Sequence, residues 1–314
     1  MLISVIVTTY NRPLALERVL QGLSLQTDSD FEVVVADDGS GPQTKDLLAR
    51  WEKNPKFRLT HAWQEDLGFR LNASRNNGIR HSSGDYIIVL DGDCIPRKTF
   101  VAEHRKLAEN GWAVAGNRCL FSKRLTDQIE AGAVDVLGWN WTDFLAARVR
   151  GDINRLDALI VLPPDMAFRY KTAYKWTRLR GCNMGFFRED ACKVNGFDES
   201  FTQWGLDDSD FAARLINAGI KIKSGCFATG VLHLFHKEGI LGPDCVNRNR
   251  FDAVLAEKLT LPVKGLIGVP ELVGVSALKH FVGVRAAVEL HVFRHRVEIV
   301  VDRKRPPDFS VQKA

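Results

Sequence analysis

The sequence predicts an α/β fold: a Rossmann-like, mostly parallel sheet with helices on both faces, followed by a C-terminal helical appendage. Two observations carry that expectation. Segments of strand and helix character alternate as β-α-β-α-β-α-β through residues 2–90, and such alternation builds parallel sheets. Three of the apolar segments also run directly into polar or acidic residues, and in parallel sheets ligands bind beyond the carboxyl ends of the strands.

Taken in order, residues 2–7 read as a first strand rather than a signal peptide, because no basic flank or cleavage site accompanies them. The polar loop Thr8-Thr9-Tyr10-Asn11-Arg12-Pro13 follows, and then Leu16, Val19, Leu20 and Leu23 at helical spacing. Pro13 falls in the first helical turn, where its missing N–H costs nothing. Residues 31–36 form the second strand and end in Asp37-Asp38-Gly39-Ser40. A helix over 45–51, a strand over 57–63 and a helix over 72–81 lead to the strand 86–90, which has no polar residue along it, as expected where both faces are covered. That strand ends in Asp91-Gly92-Asp93-Cys94. A buried unpaired charge is costly, so both carboxylates are expected at the sheet edge facing a ligand or metal, with Gly92 leaving room for a phosphate. Thr8 and Tyr10, Asp37 and Asp38, and Asp91 and Asp93 together imply one pocket.

Beyond it, the pattern predicts a helix over 99–109 and a strand over 113–117. Residues 120–180, with Trp139, Trp141, Trp176 and a basic excess, resist assignment and suit an acceptor-specific insertion. A helical stripe at Phe211, Leu215 and Ile216 stops near Gly219, and strands over 220–223 and 230–235 follow, the second carrying His233 and then His236. In the tail, Leu290, Phe293, Val297, Val300 and Val301 fall at roughly helical spacing beside Arg294, Arg296, Arg303, Lys304 and Arg305. A basic amphipathic helix of that kind suits a peripheral contact with an anionic membrane, and equally a packing or homodimer contact.

Composition narrows the class. A net charge of +5 is spread along the chain instead of gathered into a block, which argues against nucleic acid as a partner. No apolar run is long enough to span a bilayer. Six cysteines without C-x-x-C spacing suggest neither a disulfide framework nor a zinc ribbon, and fit a reducing cytoplasm.

D-x-D by itself says little, since it occurs three times, at Asp28/Asp30, Asp91/Asp93 and Asp208/Asp210. The first reads as a solvated turn. The ordered set is more specific: V-I-V-T-T-Y-N-R, A-D-D-G-S, V-L-D-G-D-C, R-G-C-N-M, G-F-D-E, W-G-L-D-D and L-H-L-F-H. Over residues 1–245 it resembles the family 2 inverting glycosyltransferases of the GT-A fold, in the branch with a galactosyltransferase-like C-terminal region. The resemblance implies a nucleotide-binding half over 1–117, an acceptor-binding half over 118–245 and an extension over 246–314. It places Thr8, Tyr10 and Asp38 around a uridine, Arg75 near the nucleotide or its phosphates, and Asp91 at the ribose or the metal's water shell. Asp93 is implied as a ligand to Mn²⁺ or Mg²⁺, with His233, or alternatively His236, beside it, His233 being slightly preferred. Asp208 is implied as the catalytic base, Asp207 as a contact to donor or acceptor hydroxyls, and Asn183, Trp204 and Gly205 as substrate residues.

The chemistry agrees with that assignment. Transfer from a nucleotide diphosphate needs charge neutralisation on the leaving group, which a divalent cation on oxygen ligands supplies, and a base for the attacking hydroxyl. One base and one in-line displacement imply inversion. The expectation is therefore a metal-dependent transfer of a single hexose or N-acetylhexosamine from a UDP-sugar to a glycan or lipid-linked glycan, in envelope or capsular polysaccharide synthesis, in the cytoplasm or at the cytoplasmic face of the inner membrane. The absence of Q-x-x-R-W favours single addition. Thr8, Thr9 and Asn11 also fit as a helix cap, and Asp207 and Asp208 as acids favoured by a helix dipole. A non-catalytic sugar- or nucleotide-binding protein on the same fold is the alternative. A sugar nucleotidyltransferase is disfavoured because G-x-G-T-R is missing after the first strand.

Overall fold

The computed structural model describes residues 1–53, 56–237, 239, 246–267, 287–293 and 296–302. The chain opens with β1 (Ile3–Thr9), α1 (Pro13–Ser24), β2 (Phe31–Asp37), α2 (Pro42–Trp51), β3 (Arg58–Trp63), α3 (Leu71–Arg80) and β4 (Tyr86–Asp91). It continues with β5 (Cys94–Pro96), α4 (Phe100–Leu107), β6 (Trp112–Ala115), β7 (Arg118–Leu120), α5 (Lys123–Glu130) and α6 (Trp141–Val149). After a run of 3-10 turns come β8 (Asn183–Phe187), α7 (Arg188–Lys193), α8 (Asp207–Asn217), β9 (Lys221–Ser224), β10 (Val231–His233) and α9 (Val246–Glu257).

The main sheet has seven strands in the order β3-β2-β1-β4-β8-β6-β9. β1 pairs in parallel with β2 and β4, placing Thr8 beside Asp91 and Thr9 beside Asp37. Their polar ends therefore align along one edge. Residues of β1, β2 and β4 are buried on both faces, which is why these segments read as near-continuous apolar runs. β8 is antiparallel to both β4 and β6, with Leu90 opposite Asn183. β6 and β9 thus point the same way as β4, and the chain entering β8 stands on the edge where the other strands end. β10 lies outside this sheet, between β5 and β7 in a three-stranded sheet.

Asp28 departs from the solvated turn expected of it: Arg105 grips its carboxylate at 2.6 and 3.0 Å. Arg169 in turn ties residues 162–169 of the stretch that resisted assignment to the loop after β9. Fully buried, it donates to the carbonyls of Leu162, Pro163, Ser224, Cys226 and Phe227.

The first compact unit runs from Met1 to Leu266 and the second from Ile267 to Ala314. In the first, α9 packs on α8 through Phe251, Val254 and Ala213. In the second, β11 (Ala287–Phe293) and β12 (Arg296–Asp302) pair antiparallel, from Ala287 opposite Asp302 to Phe293 opposite Arg296. This corrects the amphipathic helix expected over 290–301. Val288, Leu290 and Val292 alternate with Glu289 and His291, a period-2 pattern of β-rich composition that outweighs the helical one. Residues 303–305, and most of the apolar run 259–278, lie outside the described residues. No described helix is long and apolar enough to cross a membrane.

His104 shows what the β4–β8 packing demands. It is fully buried against Phe100, ring centroids 4.8 Å apart, and its Nε2 donates to Asn183 Oδ1 at 3.1 Å. Burial pulls its pKa down to about 4. The unfolded chain takes up that proton near the ordinary value of about 6.5, so the contribution of His104 is complete above that pH and lost as pH falls toward 4. Asp190, pushed up to about 6 by burial, acts in the opposite direction. The difference in unfolding free energy between wild type and His104→Gln isolates the histidine: it should shrink by about 1.4 kcal/mol per pH unit below about 6.5, measured by urea unfolding.

Candidate active site

A cleft of about 430 Å³ opens at the carboxyl edge of β2, β1 and β4, lined by Thr8, Tyr10, Asp38, Asp91, Asp93 and Trp204 among others. Its floor is set by backbone proximity. Gly92 N–H donates to the Thr8 carbonyl at 2.7 Å, and a Cβ on Gly92 would stand 2.5 Å from that same oxygen. Glycine is thus required there by the β1 backbone, independently of the room it leaves for a phosphate. Thr8 Oγ1 donates to Asp91 Oδ1 at 3.0 Å. Asp38 accepts from Gln64 Nε2 at 2.6 Å and from Arg70 N–H at 2.9 Å, while burial raises its pKa. Tyr10 is half exposed and donates to Asp66 at 3.0 Å.

Asp93 is the meeting point of several elements. His233 Nε2 lies 3.6 Å from its Oδ1 and His236 Nε2 lies 3.6 Å from its Oδ2. The two rings stand 5.2 Å apart, so the structure brings both histidines to one carboxylate. Burial lowers the His233 pKa to about 4, leaving a neutral imidazole with a lone pair to offer near neutral pH. Cys94 Sγ also approaches Asp93, at 3.7 Å, and Asp93, Cys94 and His233 could together hold a metal ion. Burial pushes the Cys94 thiol well above its ordinary range, which keeps it protonated and a poor ligand. Carboxylate and imidazole are the remaining donors, a set that suits Mn²⁺.

Arg12, which sequence reasoning quoted only as part of a motif, spans Asp93 and Glu130 at 2.9 Å each. Nothing local in sequence marks Glu130 as its partner, because α5 reaches the cleft only through the fold.

Across the cleft floor stands Arg75, fully buried on α3. It donates to Asp207 at 2.6 Å and to Asn72 at 3.1 Å, and lies 4.0 Å from Asp91. Burial pushes Asp91 up to about 6, the nearby Asp93 adding to the shift and Arg75 opposing it. Asp207 and Asp208 begin α8, where the helix dipole favours acids. Gly205 and Leu206 just before them are both left-handed, at φ +101° and +65°, a strained entry for a leucine. Asp208 accepts from Gly181 N–H at 3.1 Å, and burial together with Asp207 raises its pKa. A Cβ on Gly181 would fall 2.0 Å from Arg75 Nη2, so that backbone donor reaches Asp208 only because residue 181 has no side chain. Asp210, the last acid of the third D-x-D, is structural, paired with Arg214 at 2.7 Å in the core.

Two expected substrate residues separate here. Trp204 is exposed on the cleft. Asn183 is corrected: it is fully buried, and its amide donates to the carbonyls of Asn117 and Thr229 while accepting from His104. It holds β8 in place and offers no free atom to a substrate.

The description "Glycosyl transferase family 2" matches residues 4–173, and "N-terminal domain of galactosyltransferase" matches residues 165–237. Validoxylamine A glucosyltransferase of Streptomyces hygroscopicus subsp. jinggangensis is 31% identical over 70% of this chain and 52% of its own length. Chondroitin synthase of Escherichia coli is 28% identical over 71% of this chain and 33% of its own. The chain thus spans about half, or less, of the length of these relatives. Among solved structures, a mannosyltransferase from Pyrobaculum calidifontis in complex with GDP-Man and Mn²⁺ superposes with a TM-score of 0.52 at 24% identity, covering 76% of this chain and 58% of that one. S. aureus TarS superposes at 0.51 with 15% identity, over 82% of this chain and 39% of that one. These likenesses establish the GT-A fold.

The Arg75–Asp207 pair generates a test. Arg75→Met leaves a buried carboxylate without its partner and should destabilise the protein by about 3–5 kcal/mol. Asp207→Asn keeps a hydrogen-bond acceptor for the guanidinium and should cost clearly less. Chemical denaturation of the two variants checks the order.

Proposed function

The chain belongs to glycosyl transferase family 2, and from that premise we propose that it is a metal-dependent inverting glycosyltransferase. It transfers one hexose or N-acetylhexosamine from a UDP-sugar to a glycan or lipid-linked glycan acceptor in envelope or capsular polysaccharide synthesis. The observation that carries the reading is the convergence, on one sheet edge, of Asp93 with two histidines and of a buried Arg75 with Asp207 beside Asp208. The nucleotide occupies the cleft lined by Thr8, Tyr10, Asp38 and Asp91. Asp93 with His233 or His236 would hold a divalent cation, which would supply charge neutralisation for the departing diphosphate. Asp208 takes the proton of the acceptor hydroxyl as its oxygen bonds to the anomeric carbon and the bond to the diphosphate breaks. Burial and the neighbouring Asp207 raise its pKa, which strengthens it as a base. Arg75 positions Asp207 and limits the repulsion among Asp91, Asp207 and Asp208.

Hydrolysis of a panel of UDP-sugars, with and without chelator, names the donor. Chelation should abolish turnover and added Mn²⁺ should restore it; turnover indifferent to chelator would remove Asp93 and both histidines from a metal role. Asp208→Asn should keep UDP affinity while lowering turnover by roughly 10²–10⁴. Transfer at the wild-type rate would move the base elsewhere, with Asp207 next in line.

A further inference from the structure

A second cavity, of about 310 Å³, opens at the carboxyl ends of β6 and β9, along the same sheet edge as the nucleotide cleft. We infer that it is an acceptor subsite for an oxyanion, a carboxylate or phosphate group carried by the acceptor glycan; this rests on the reading of Asp208 as the base.

Four arginines line it, Arg118, Arg155, Arg178 and Arg180, and no acidic residue does. Among the described residues, no carboxylate lies within ion-pair distance of Arg118, Arg178 or Arg180, and Arg155 reaches only the partly exposed Asp157, at 3.8 Å. Arg118 donates to Cys182 Sγ at 3.4 Å, a weak acceptor for a guanidinium. Asn117 also lines the cavity, and both heteroatoms of its amide are buried without a partner. Buried polar groups are normally satisfied, so this unpartnered amide marks a cavity lined by four arginines, where the carboxylates acting on Arg118 and Arg180 are Asp91 and Asp208 of the neighbouring cleft. A chain with a net charge of only +5 has concentrated cations here.

The position connects this cavity with the chemistry. Arg180 and Cys182 line its rim, and Gly181 between them holds Asp208. The Cys182 carbonyl accepts from Asp91 N–H at 3.3 Å, which places the rim against the nucleotide cleft. An anionic residue of the acceptor seated among the arginines thus presents a neighbouring hydroxyl toward Asp208. Planar guanidinium groups suit carboxylate and phosphate equally well. The lining contains no aromatic side chain on which a base could stack, which argues against single-stranded nucleic acid.

The test is calorimetric titration of the full chain with glucuronate, glucose 6-phosphate, glucose and UDP. The charged probe that carries the matching group should bind at least about tenfold more tightly than glucose, from charge-assisted hydrogen bonds, and which of the two does so identifies the oxyanion. Arg118→Gln/Arg178→Gln should abolish that preference and leave UDP affinity within about twofold. The exposed single variant Arg155→Gln, whose folding is not at risk, should weaken the charged probe alone. Equal binding of charged and neutral probes, charged-probe binding that survives these substitutions in folded protein, or a parallel loss of UDP binding overturns the inference. Failure of wild type to bind UDP would instead count against the nucleotide cleft.

Discussion

The ion pair between Arg75 and Asp207 links the two halves of the site. Arg75 comes from α3, packed beneath the first strands, and Asp207 opens α8, more than a hundred residues later. Neither group tolerates burial alone. Their pairing fixes where α8 begins, and with it where Asp208 stands relative to Asp91. It also offsets a carboxylate cluster that would otherwise repel itself, since Asp91, Asp207 and Asp208 all act on this one guanidinium.

Glycine and backbone geometry complete what that pair begins. Gly92 lets β1 and the end of β4 approach closely enough for Thr8 to hold Asp91. Gly181 lets the strand entering β8 lie against Arg75 and offer its N–H to Asp208. The left-handed pair Gly205–Leu206 turns the chain sharply into the first acidic turn of α8. Strain of this kind gathers at sites whose surroundings over-determine them. The buried Asp210–Arg214 pair, with Arg214 also donating to the carbonyls of Val194 and Gly196, supplies that over-determination.

Much of this was legible in the sequence, and the remainder was not for identifiable reasons. The alternation of the first four strands and helices is local, and strands buried on both faces announce themselves as apolar runs. That the edge residues Thr8, Asp38, Asp91 and Asp93 share a cleft followed from topology. The antiparallel insertion of β8 did not, because pairing with β4 and β6 is a non-local choice. Asn183 was misread for the same reason: as part of the R-G-C-N-M motif it looks like a site residue until its carbonyl partners, Asn117 and Thr229, are known. Within 120–180 the short helices α5 and α6 are local features, whereas residues 162–169 are held by Arg169 reaching carbonyls as distant as Ser224, Cys226 and Phe227, a non-local network that leaves no periodicity to detect. The tail satisfied two periods at once, and the strand period won.

The placement of β8 also has a consequence for biogenesis. During synthesis β4 emerges roughly a hundred residues before the strand that will cover its open side. At translation rates of about 5–20 residues per second, an unpaired edge, apolar from Tyr86 to Leu90, waits for some seconds beside the ribosome. Such an edge is a template for wrong pairing with other chains. The nascent chain thus carries this uncovered edge from the appearance of Leu90 to that of Phe187.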